Sequence, residues 1–327
     1  MEPRSHALQV PESLAGQRLD KALAELIPGT SRTRLQALIR EGRATLDGRP
    51  CTRPGTPLEA GARIVLDLAE PEARGPEVAP QGLELLHEDA AILVFAKPAG
   101  LLTHAPSPGS RKPSVAGTAE ARCGPLPHIQ GADRPGIVHR LDALTSGVIV
   151  LGRTARALED LKAQFKARTV KKRYAAIVHG EPRFDSDWIE TAIARVADGA
   201  RGADRFHTVA AGAGREARTY FEVRERFRGF ALLRVEPRTG RTHQIRVHLT
   251  SIGHPLVGDR KYRWRGALRV PLPPAAPAPE RQALHAERLE LRHPETGLAV
   301  AFEAPLPEDM RRLLEWLRAN MPSAGAP

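Results

Sequence analysis

From Gly136 to Leu151 the chain reads GIVHRLDALTSGVIVL, and no other stretch says as much about the fold. Two apolar runs flank a polar segment, a pattern that predicts a strand, an exposed loop and a second strand. The loop carries one carboxylate, Asp142, two residues after an arginine and three after a histidine. A lone acid beside cations on a loop is one way in which a scaffold presents a reactive group. Most loop aspartates only satisfy backbone donors, so the local pattern by itself favours a structural role.

The composition indicates what kind of partner the protein binds. The chain has 327 residues, enough for two domains, and its 49 Lys and Arg residues outnumber 38 Asp and Glu residues, which gives a net charge of +11. A charge of this sign says little about the fold but favours a polyanionic partner. We therefore expect a protein that binds nucleic acid.

The same sequence argues against a membrane or extracellular location. No stretch approaches the roughly 18 consecutive apolar residues of a spanning helix, and no apolar core of a secretory signal follows Met1. Cys51 and Cys123 stand far apart without CxxC spacing, so they predict neither a disulfide framework nor a zinc site. We expect a cytoplasmic protein.

Residues 8–68 are predicted to form a small basic α+β domain. A strand near 8–10 precedes a helix with apolar residues at helical spacing, Leu19, Ala22, Leu23 and Leu26. A second helix is predicted between an N-cap at Ser31 and a stop at Gly42, with a buried stripe of Leu35, Leu38 and Ile39. Strands at 44–46 and 63–68 follow, the first leading into an Asp47-Gly48 turn. Six cations cluster around the two helices: Arg18, Lys21, Arg32, Arg34, Arg40 and Arg43.

A second domain is predicted over residues 82–322, after a Pro-rich, charged linker at 69–81. Short strands are predicted at 83–86, 91–95, 147–151, 174–178 and 230–235, and helices at 154–167, 242–252 and 308–319. Thr154 is the expected cap of the first of these helices. The segment 270–280, with five prolines in eleven residues, is predicted to be a surface loop. Strands without regular βαβ alternation indicate an α+β fold on a mostly antiparallel sheet.

Two further segments carry polar residues typical of a functional site. An alternating strand at 171–180 puts Tyr174, Ala176 and Val178 on one face. The segment 238–249 is predicted to be a turn into a helix whose first two turns are rich in hydrogen-bond donors, and helix N-termini of this kind attract anions.

Other chemistries fit the sequence poorly. His243 and His248 are five residues apart, so on a helix they diverge by about 140°, unlike the i, i+4 pair of zinc proteases. A hydrolase triad would have to come from one short loop without a G-x-S-x-G elbow, from Ser146, His139 and Asp142. No Walker loop is present either. We expect no metal site.

Several ordered motifs together resemble the RluA/RluD-type pseudouridine synthases. The loop from His139 to Gly147, with HRLD followed by TSG, looks like the signature loop of that family. Further matching motifs extend over nearly the whole chain: Lys97–Leu101, Lys172–Tyr174, Gly240–His248, Gly253–Asp259 and Gln282–Ala286. The N-terminal helices and cations resemble the alpha-L RNA-binding module first recognised in a small-subunit ribosomal protein. Together these motifs overturn the purely structural interpretation of Asp142.

The resemblance implies a role for each matching residue. Asp142 matches the essential aspartate that acts on the target uridine as nucleophile or base, and Arg246 matches the basic residue that pairs with it. A cation within hydrogen-bond reach is expected to keep that aspartate ionised. Tyr174 matches the aromatic residue that packs on the target base, and Arg140 matches the arginine that helps to extrude the nucleotide. Leu284 falls where the family has an apolar contact to the base.

The implied reaction is the isomerisation of uridine to pseudouridine in structured RNA, without a metal or cofactor. Arg241 and the six N-terminal cations are expected to bind that RNA. Similarity to the RluD-like branch implies large-subunit ribosomal RNA as substrate, and a monomer is expected. Transfer RNA, or a non-catalytic ribosome-assembly role that uses only the basic surface, are the alternatives. Ala143 and Leu144 replace a Lys-Asp pair of many relatives, which leaves the RNA target open.

Overall fold

The computed structural model describes residues 5–28, 30, 32–40, 42–68, 82–106, 110, 112–128, 134–196, 205–263 and 270–323. The chain divides into two compact units, one made of Met1–Gly75 with Pro106–Ser110 and the other of Pro76–Ala105 with Arg111–Pro327. The predicted N-cap Ser31 and the predicted linker at 69–81 lie outside the described residues. The predicted α+β class is confirmed.

The first unit combines two helices with a small antiparallel sheet. Its strands are β1 (Ser5–Gln9), β2 (Ala44–Leu46), β3 (Arg49–Cys51) and β4 (Arg63–Asp67), in the order β1-β4-β2-β3. Helices α1 (Leu19–Leu26) and α2 (Arg32–Arg40) bury the apolar stripes that their spacing predicts. Asp47 and Gly48 both have positive φ, which gives β2 and β3 the tight turn expected of Asp-Gly.

The second unit is built on a nine-stranded sheet. Its first strands are β5 (Glu84–Glu88), β6 (Ile92–Lys97), β7 (Ser146–Gly152), β8 (Lys171–His179) and β9 (Ser186–Glu190). A separate pair, β10 (Ala192–Arg195) and β11 (Phe206–Val209), precedes the remaining strands. These are β12 (Arg218–Phe227), β13 (Phe230–Pro237), β14 (Leu284–Arg292) and β15 (Ala299–Glu303). The order is β5-β6-β7-β14-β8-β13-β12-β9, with β15 beside β14. Only the β7–β14 pair is parallel among these described strands.

The described residues of the second unit also form four helices: α3 (Val115–Cys123), α4 (Ala155–Ala167), α5 (Gln244–Ser251) and α6 (Glu308–Asn320). The expected cap of α4 is confirmed, because Thr154 Oγ1 accepts the N–H of Ala157 at 3.1 Å. Strand alternation gives β8 two packing faces. Ala175 and Ile177 pack with α6, whereas the even-numbered residues from 174 to 178 pack with α5, which confirms the predicted common face.

Two local predictions are wrong. The apolar run before Asp142 is not a strand, and only Ile137 forms an isolated bridge, to Leu151. The ladder stops there because the Val150 N–H donates to the His139 ring at 3.1 Å rather than to a neighbouring backbone. The segment 270–280 lacks helix and strand as predicted, yet it is not wholly on the surface, since Ala276 is buried in the α6 core.

Candidate active site

The second unit contains a pocket of about 460 Å³ where the Asp142 loop, the start of β8 and the start of α5 meet. All six residues that the sequence predicts as catalytic or substrate-binding in this part of the chain line it: Asp142, Arg140, Tyr174, Arg241, Arg246 and Leu284. They lie on segments far apart in sequence, so the fold is what brings them together.

Asp142 is paired with a buried arginine. Its Oδ2 accepts a hydrogen bond from Arg246 Nη1 at 3.1 Å, across 104 residues of sequence. The Asp142 side chain is 20% exposed and that of Arg246 only 8%, so the acid is open to the pocket while its cation is sheltered. A charge-assisted hydrogen bond of this kind fixes the orientation of the carboxylate.

A second carboxylate holds Arg246 in place. Asp259 accepts hydrogen bonds from Arg246 Nε at 2.7 Å and Nη2 at 2.9 Å, a bidentate arrangement that fixes the guanidinium plane. Its Oδ1 also accepts the backbone N–H groups of Lys261 and Tyr262. Burial opposes the charge on Arg246, yet the two carboxylates together raise the pKa of the guanidinium. Arg246 therefore stays charged between one buried carboxylate and one that lines the pocket.

His243 approaches the same aspartate as a neutral ring. Its Nε2 lies 3.8 Å from Asp142 Oδ2, and its Nδ1 shares a 2.8 Å hydrogen bond with the Tyr262 hydroxyl. That hydroxyl also accepts the Phe206 N–H at 3.1 Å. Burial lowers the pKa of His243 to about 4, although the Asp142 charge acts in the opposite direction.

A buried lysine anchors the loop that carries Asp142. Lys97 Nζ donates to the carbonyls of Pro98 at 3.0 Å, Leu101 at 2.8 Å and Ala143 at 2.8 Å. The Gly100 N–H reaches the same Ala143 carbonyl at 2.9 Å. Burial lowers the pKa of Lys97 to about 7, while the three carbonyls give the ammonium a full set of acceptors. The residue after Asp142 is thereby tied to β6 and the turn that follows it.

Tyr174 and Leu284 give the pocket an apolar wall. Leu284 is buried, Tyr174 is half-buried, and both belong to the cluster that packs against α5. Burial, and to a lesser degree the Asp142 charge, raise the pKa of the Tyr174 phenol, so the ring stays neutral. A neutral aromatic surface beside a carboxylate suits the stacking of a planar base.

The rest of the pocket lining is strongly cationic. Two of its residues are acidic, Asp142 and Glu236, against eight Lys and Arg residues: Arg140, Lys166, Arg168, Lys171, Lys172, Arg238, Arg241 and Arg246. Arg140 is exposed, and Arg241 donates through Nε to the Glu216 carbonyl at 3.0 Å. Burial, with Arg168 and Arg238 nearby, lowers the pKa of Lys172 to about 8. Such a lining favours an anionic ligand.

The residues of the rejected hydrolase triad do not meet. Ser146 Oγ bonds to His285 Nδ1 at 2.9 Å, and both residues are buried. His139 instead accepts the Val150 N–H and stacks on Phe165, with ring centroids 4.6 Å apart. In the part of the chain that the structure describes, no three His, Cys, Asp or Glu residues are grouped to hold a metal ion.

The predicted N-terminal cations lie in the first unit and differ in their surroundings. Asp20 is fully buried, and its carboxylate pairs with Arg18 at 3.0 Å and Arg32 at 2.9 Å. These two arginines therefore stabilise the unit as well as presenting charge. Lys21 and Arg40 are exposed. The remaining two are half-buried, and Arg43 pairs with Asp67 at 3.3 Å.

Four residues near the reactive acid received no role from the sequence: Lys97, His243, Asp259 and Tyr262. Lys97, His243 and Asp259 fall inside motifs that match the family, so a signal existed without a stated function. Tyr262 gave no signal at all. Its contact with His243 depends on a turn fixed by Asp259, which local pattern does not show.

Comparison with known proteins decides the family. A family model described as RNA pseudouridylate synthase matches residues 91–251, and an S4 domain model matches residues 17–64. The ribosomal large subunit pseudouridine synthase D of Pseudomonas aeruginosa is 42% identical over 323 residues, 96% of each chain. The chain belongs to the RluA/RluD family of RNA pseudouridine synthases. The predicted family and the predicted RNA-binding module are thus confirmed.

Two further similar proteins give the same picture. The uncharacterised RNA pseudouridine synthase YlyB of Bacillus subtilis is 38% identical over 94% of this chain and 97% of its own. The solved structure of human RNA pseudouridylate synthase domain containing 4 has 25% identity and a TM-score of 0.56, covering 73% of this chain and 95% of its own. This pseudouridine synthase is therefore an isomerase that acts on RNA. No helix among its described residues is long and apolar enough to span a bilayer.

Proposed function

We propose that this enzyme isomerises uridine in large-subunit ribosomal RNA, with Asp142 as the group that attacks the flipped-out nucleotide. One observation carries the proposal: the Asp142 carboxylate is held by buried Arg246 in a cation-lined pocket beside the Tyr174 ring. Simple RNA binding requires none of these residues in this arrangement. The choice of ribosomal RNA is supported by the name of the Pseudomonas aeruginosa relative, which matches this chain over 96% of its length.

The chemistry accounts for the pocket. The bond between uracil N1 and the ribose breaks, the base rotates, and C5 takes the place of N1 on the ribose. C5 gives up its proton, N1 gains one, and any bond that Asp142 makes to the nucleotide is broken again, so the product is an isomer and the carboxylate is regenerated. These atoms are out of reach in a stacked helix, so the nucleotide must be flipped out, at a cost of a few kcal/mol. Stacking on Tyr174 offsets about 1–3 kcal/mol of that cost. We expect Arg140, which is exposed and lines the pocket, to occupy the space that the base leaves.

Arg246 acts on the reaction through Asp142. Its guanidinium is locked by Asp259, so Asp142 meets a cation that does not need to reorganise during the reaction. The His243 ring lies nearby, with Nε2 3.8 Å from Asp142 Oδ2. The carboxylate is thus oriented by Arg246 and remains open towards the substrate.

We also propose that the enzyme acts as a monomer in the cytoplasm, where ribosomal RNA is found. The distinction between ribosomal and transfer RNA depends on surfaces beyond the pocket.

The test is tritium release from RNA labelled at uridine C5. The wild type should release tritium from large-subunit ribosomal RNA, and Asp142→Ala should release none while still binding the RNA. Equal tritium release from both proteins would contradict the proposed role of Asp142. Release from transfer RNA alone would replace the proposed substrate, and mapping pseudouridines in cells that lack the protein would locate the modified uridine.

A further inference from the structure

We propose that four residues, Trp188, Tyr220, Arg218 and Arg238, form a stacking platform for an unpaired base of the RNA that flanks the target uridine. The proposal rests on the proposed function, because it extends the path of the RNA beyond the pocket. The ligand is a nucleobase in a single-stranded segment, recognised by its flat face and by the phosphates beside it.

The platform is built around an exposed aromatic residue. Trp188 lies on β9, at the edge of the nine-stranded sheet, and is 37% exposed. Tyr220 stands opposite it on β12, with the ring centroids 5.1 Å apart. The guanidinium carbon of Arg218 lies 4.0 Å from the centre of the Trp188 ring, and that of Arg238 lies 5.7 Å away. Two cations therefore converge on one indole.

Carboxylates orient both arginines without covering them. Arg218 Nε pairs with Glu190 at 2.5 Å, and Arg238 Nη2 pairs with Glu236 at 3.3 Å. The Arg218 side chain is nevertheless 52% exposed and that of Arg238 47% exposed. A planar guanidinium that is stacked on one side and open on the other can accept a base by the same stacking and cation–π forces.

The platform meets the catalytic pocket at the end of β13. Register places Tyr220 opposite Glu236, and Tyr174 opposite Val235, so the platform and Tyr174 lie on opposite faces of the sheet. Arg238 directly follows β13, lines the pocket and also reaches Trp188. An RNA strand leaving the pocket over this strand end would pass from the cationic lining onto the indole.

A neighbouring pair shows that an arginine beside an exposed ring is not sufficient. Phe184 is 57% exposed and has the Arg183 guanidinium 5.5 Å from its ring centre. Neither residue lines the pocket. The Trp188 platform differs by having two arginines, a second aromatic ring and direct continuity with the pocket. Phe184 is therefore the matched control for Trp188.

The experiment measures the equilibrium Kd for a large-subunit ribosomal RNA transcript by filter binding. Trp188→Ala should weaken binding by about 5- to 150-fold, the range expected for the loss of one base–aromatic stack. Trp188→Phe should restore Kd to within about threefold, which separates stacking from a folding defect. Phe184→Ala should bind like the wild type. Circular dichroism of each variant checks that β9 is retained.

A second measurement tests whether the ligand is a base. Abasic substitution at one flanking nucleotide of a shorter RNA fragment should weaken the wild type and have no further effect on Trp188→Ala. The platform would be overturned if Trp188→Ala bound RNA with the wild-type Kd, or if Trp188→Ala and Phe184→Ala lost equal affinity for RNA. In the first case the exposed surface around Trp188 would instead be a candidate site for a protein partner. Because these readouts are binding constants, they stand apart from tritium release, whose absence would count against the proposed function alone.

Discussion

At the scale of single residues, the decisive feature is that one arginine serves two carboxylates of different exposure. Asp259 is buried and Asp142 is open to the pocket, while Arg246 donates to both. A buried carboxylate that loses its cation, or a buried cation that loses its carboxylate, is left uncompensated at a cost of about 3–5 kcal/mol. The geometry of the reactive acid is therefore coupled to the stability of the fold.

This coupling predicts the effect of Asp259→Ala. The free energy of unfolding should fall by about 3–5 kcal/mol, because Arg246 remains buried with a single partner. Turnover should fall as well, since the guanidinium loses the bidentate contact that fixes its plane. Urea unfolding and tritium release measure the two effects. Glu225→Ala, which removes an exposed pair with Arg318, should change the unfolding free energy by about 1 kcal/mol or less; a similar loss in both variants would contradict the prediction.

The sequence predicts part of the site at this scale. Motifs that match the family point to Asp142, Arg246 and Tyr174, and the pocket contains all three. Asp259 and Tyr262 received no role because their contacts depend on a turn, and turns place side chains by backbone geometry rather than by periodicity.

At the scale of elements, the Asp142 loop depends on the close parallel contact between β7 and β14. Gly147 pairs with Ala286 there, and a Cβ on Gly147 would lie 2.2 Å from the Ala286 carbonyl oxygen. Its φ of +121° is also outside the range that side chains readily adopt. The glycine allows β14 to approach the strand that follows the catalytic loop.

Gly147→Ala is therefore expected to push β7 and β14 apart. It should destabilise the protein by more than 2 kcal/mol, in the manner of an overpacked core, and it should lower turnover by moving the Asp142 loop. Gly212→Ala isolates the cost of positive φ, since nothing lies within 4 Å of a Cβ there, and should cost about 1 kcal/mol. Thermal melting and tritium release provide the comparison, and equal effects of the two substitutions would count against steric contact as the cause.

Periodicity predicts elements well where one face of the element is buried. Helices α1, α4 and α6 appear where their apolar spacing places them, and Thr154 caps α4 as expected. The strand predicted before Asp142 fails, because a histidine ring takes the N–H that a ladder would use. The pattern of apolar residues does not show where a side chain takes the place of a backbone hydrogen-bond partner.

At the scale of the whole molecule, net charge and buried histidines set the response to salt and pH. Lys21 and Arg40 are exposed cations of the RNA-binding module. Lys21→Ala together with Arg40→Ala should weaken RNA binding uniformly across sequences. If both contact phosphates, the slope of log Kobs against log salt should become shallower by about 2. Filter binding across a salt series measures this slope. Arg32→Ala is the control, and it should lower stability as well because it also breaks the Asp20 pair. An unchanged slope in the Lys21/Arg40 double variant would exclude Lys21 and Arg40 from the interface.

The histidines predict a loss of stability in mild acid. Burial lowers the pKa of His243 to about 4 and of His139 to about 3, below the ordinary value of 6.5. The unfolded chain therefore takes up protons first, and the unfolding free energy falls as pH drops from 6.5 towards 4, by on the order of 3 kcal/mol for His243. Urea midpoints at pH 7.5 and 5.0 measure the fall. His243→Gln should reduce it, whereas substitution of exposed His207 should not; identical midpoints would refute the assignment.

Composition predicts a polyanionic partner, and the cation-rich pocket agrees with it. The order of strands in the sheet could not be predicted, because it depends on pairings between distant segments. The insertion of β14 between β7 and β8 is the main example.

That insertion also sets when the enzyme becomes active. Asp142 belongs to the half of the sheet that ends with β7 and Arg246 to the half that begins with β8, and the strand that joins the two halves follows both residues in the chain. Each half can form its local hairpins early, but contacts across 139 residues, such as that of Ser146 with His285, close late. A growing chain that has not yet made β14 therefore lacks the strand that joins the two halves, and we expect it to be inactive on RNA until β14 has left the ribosome.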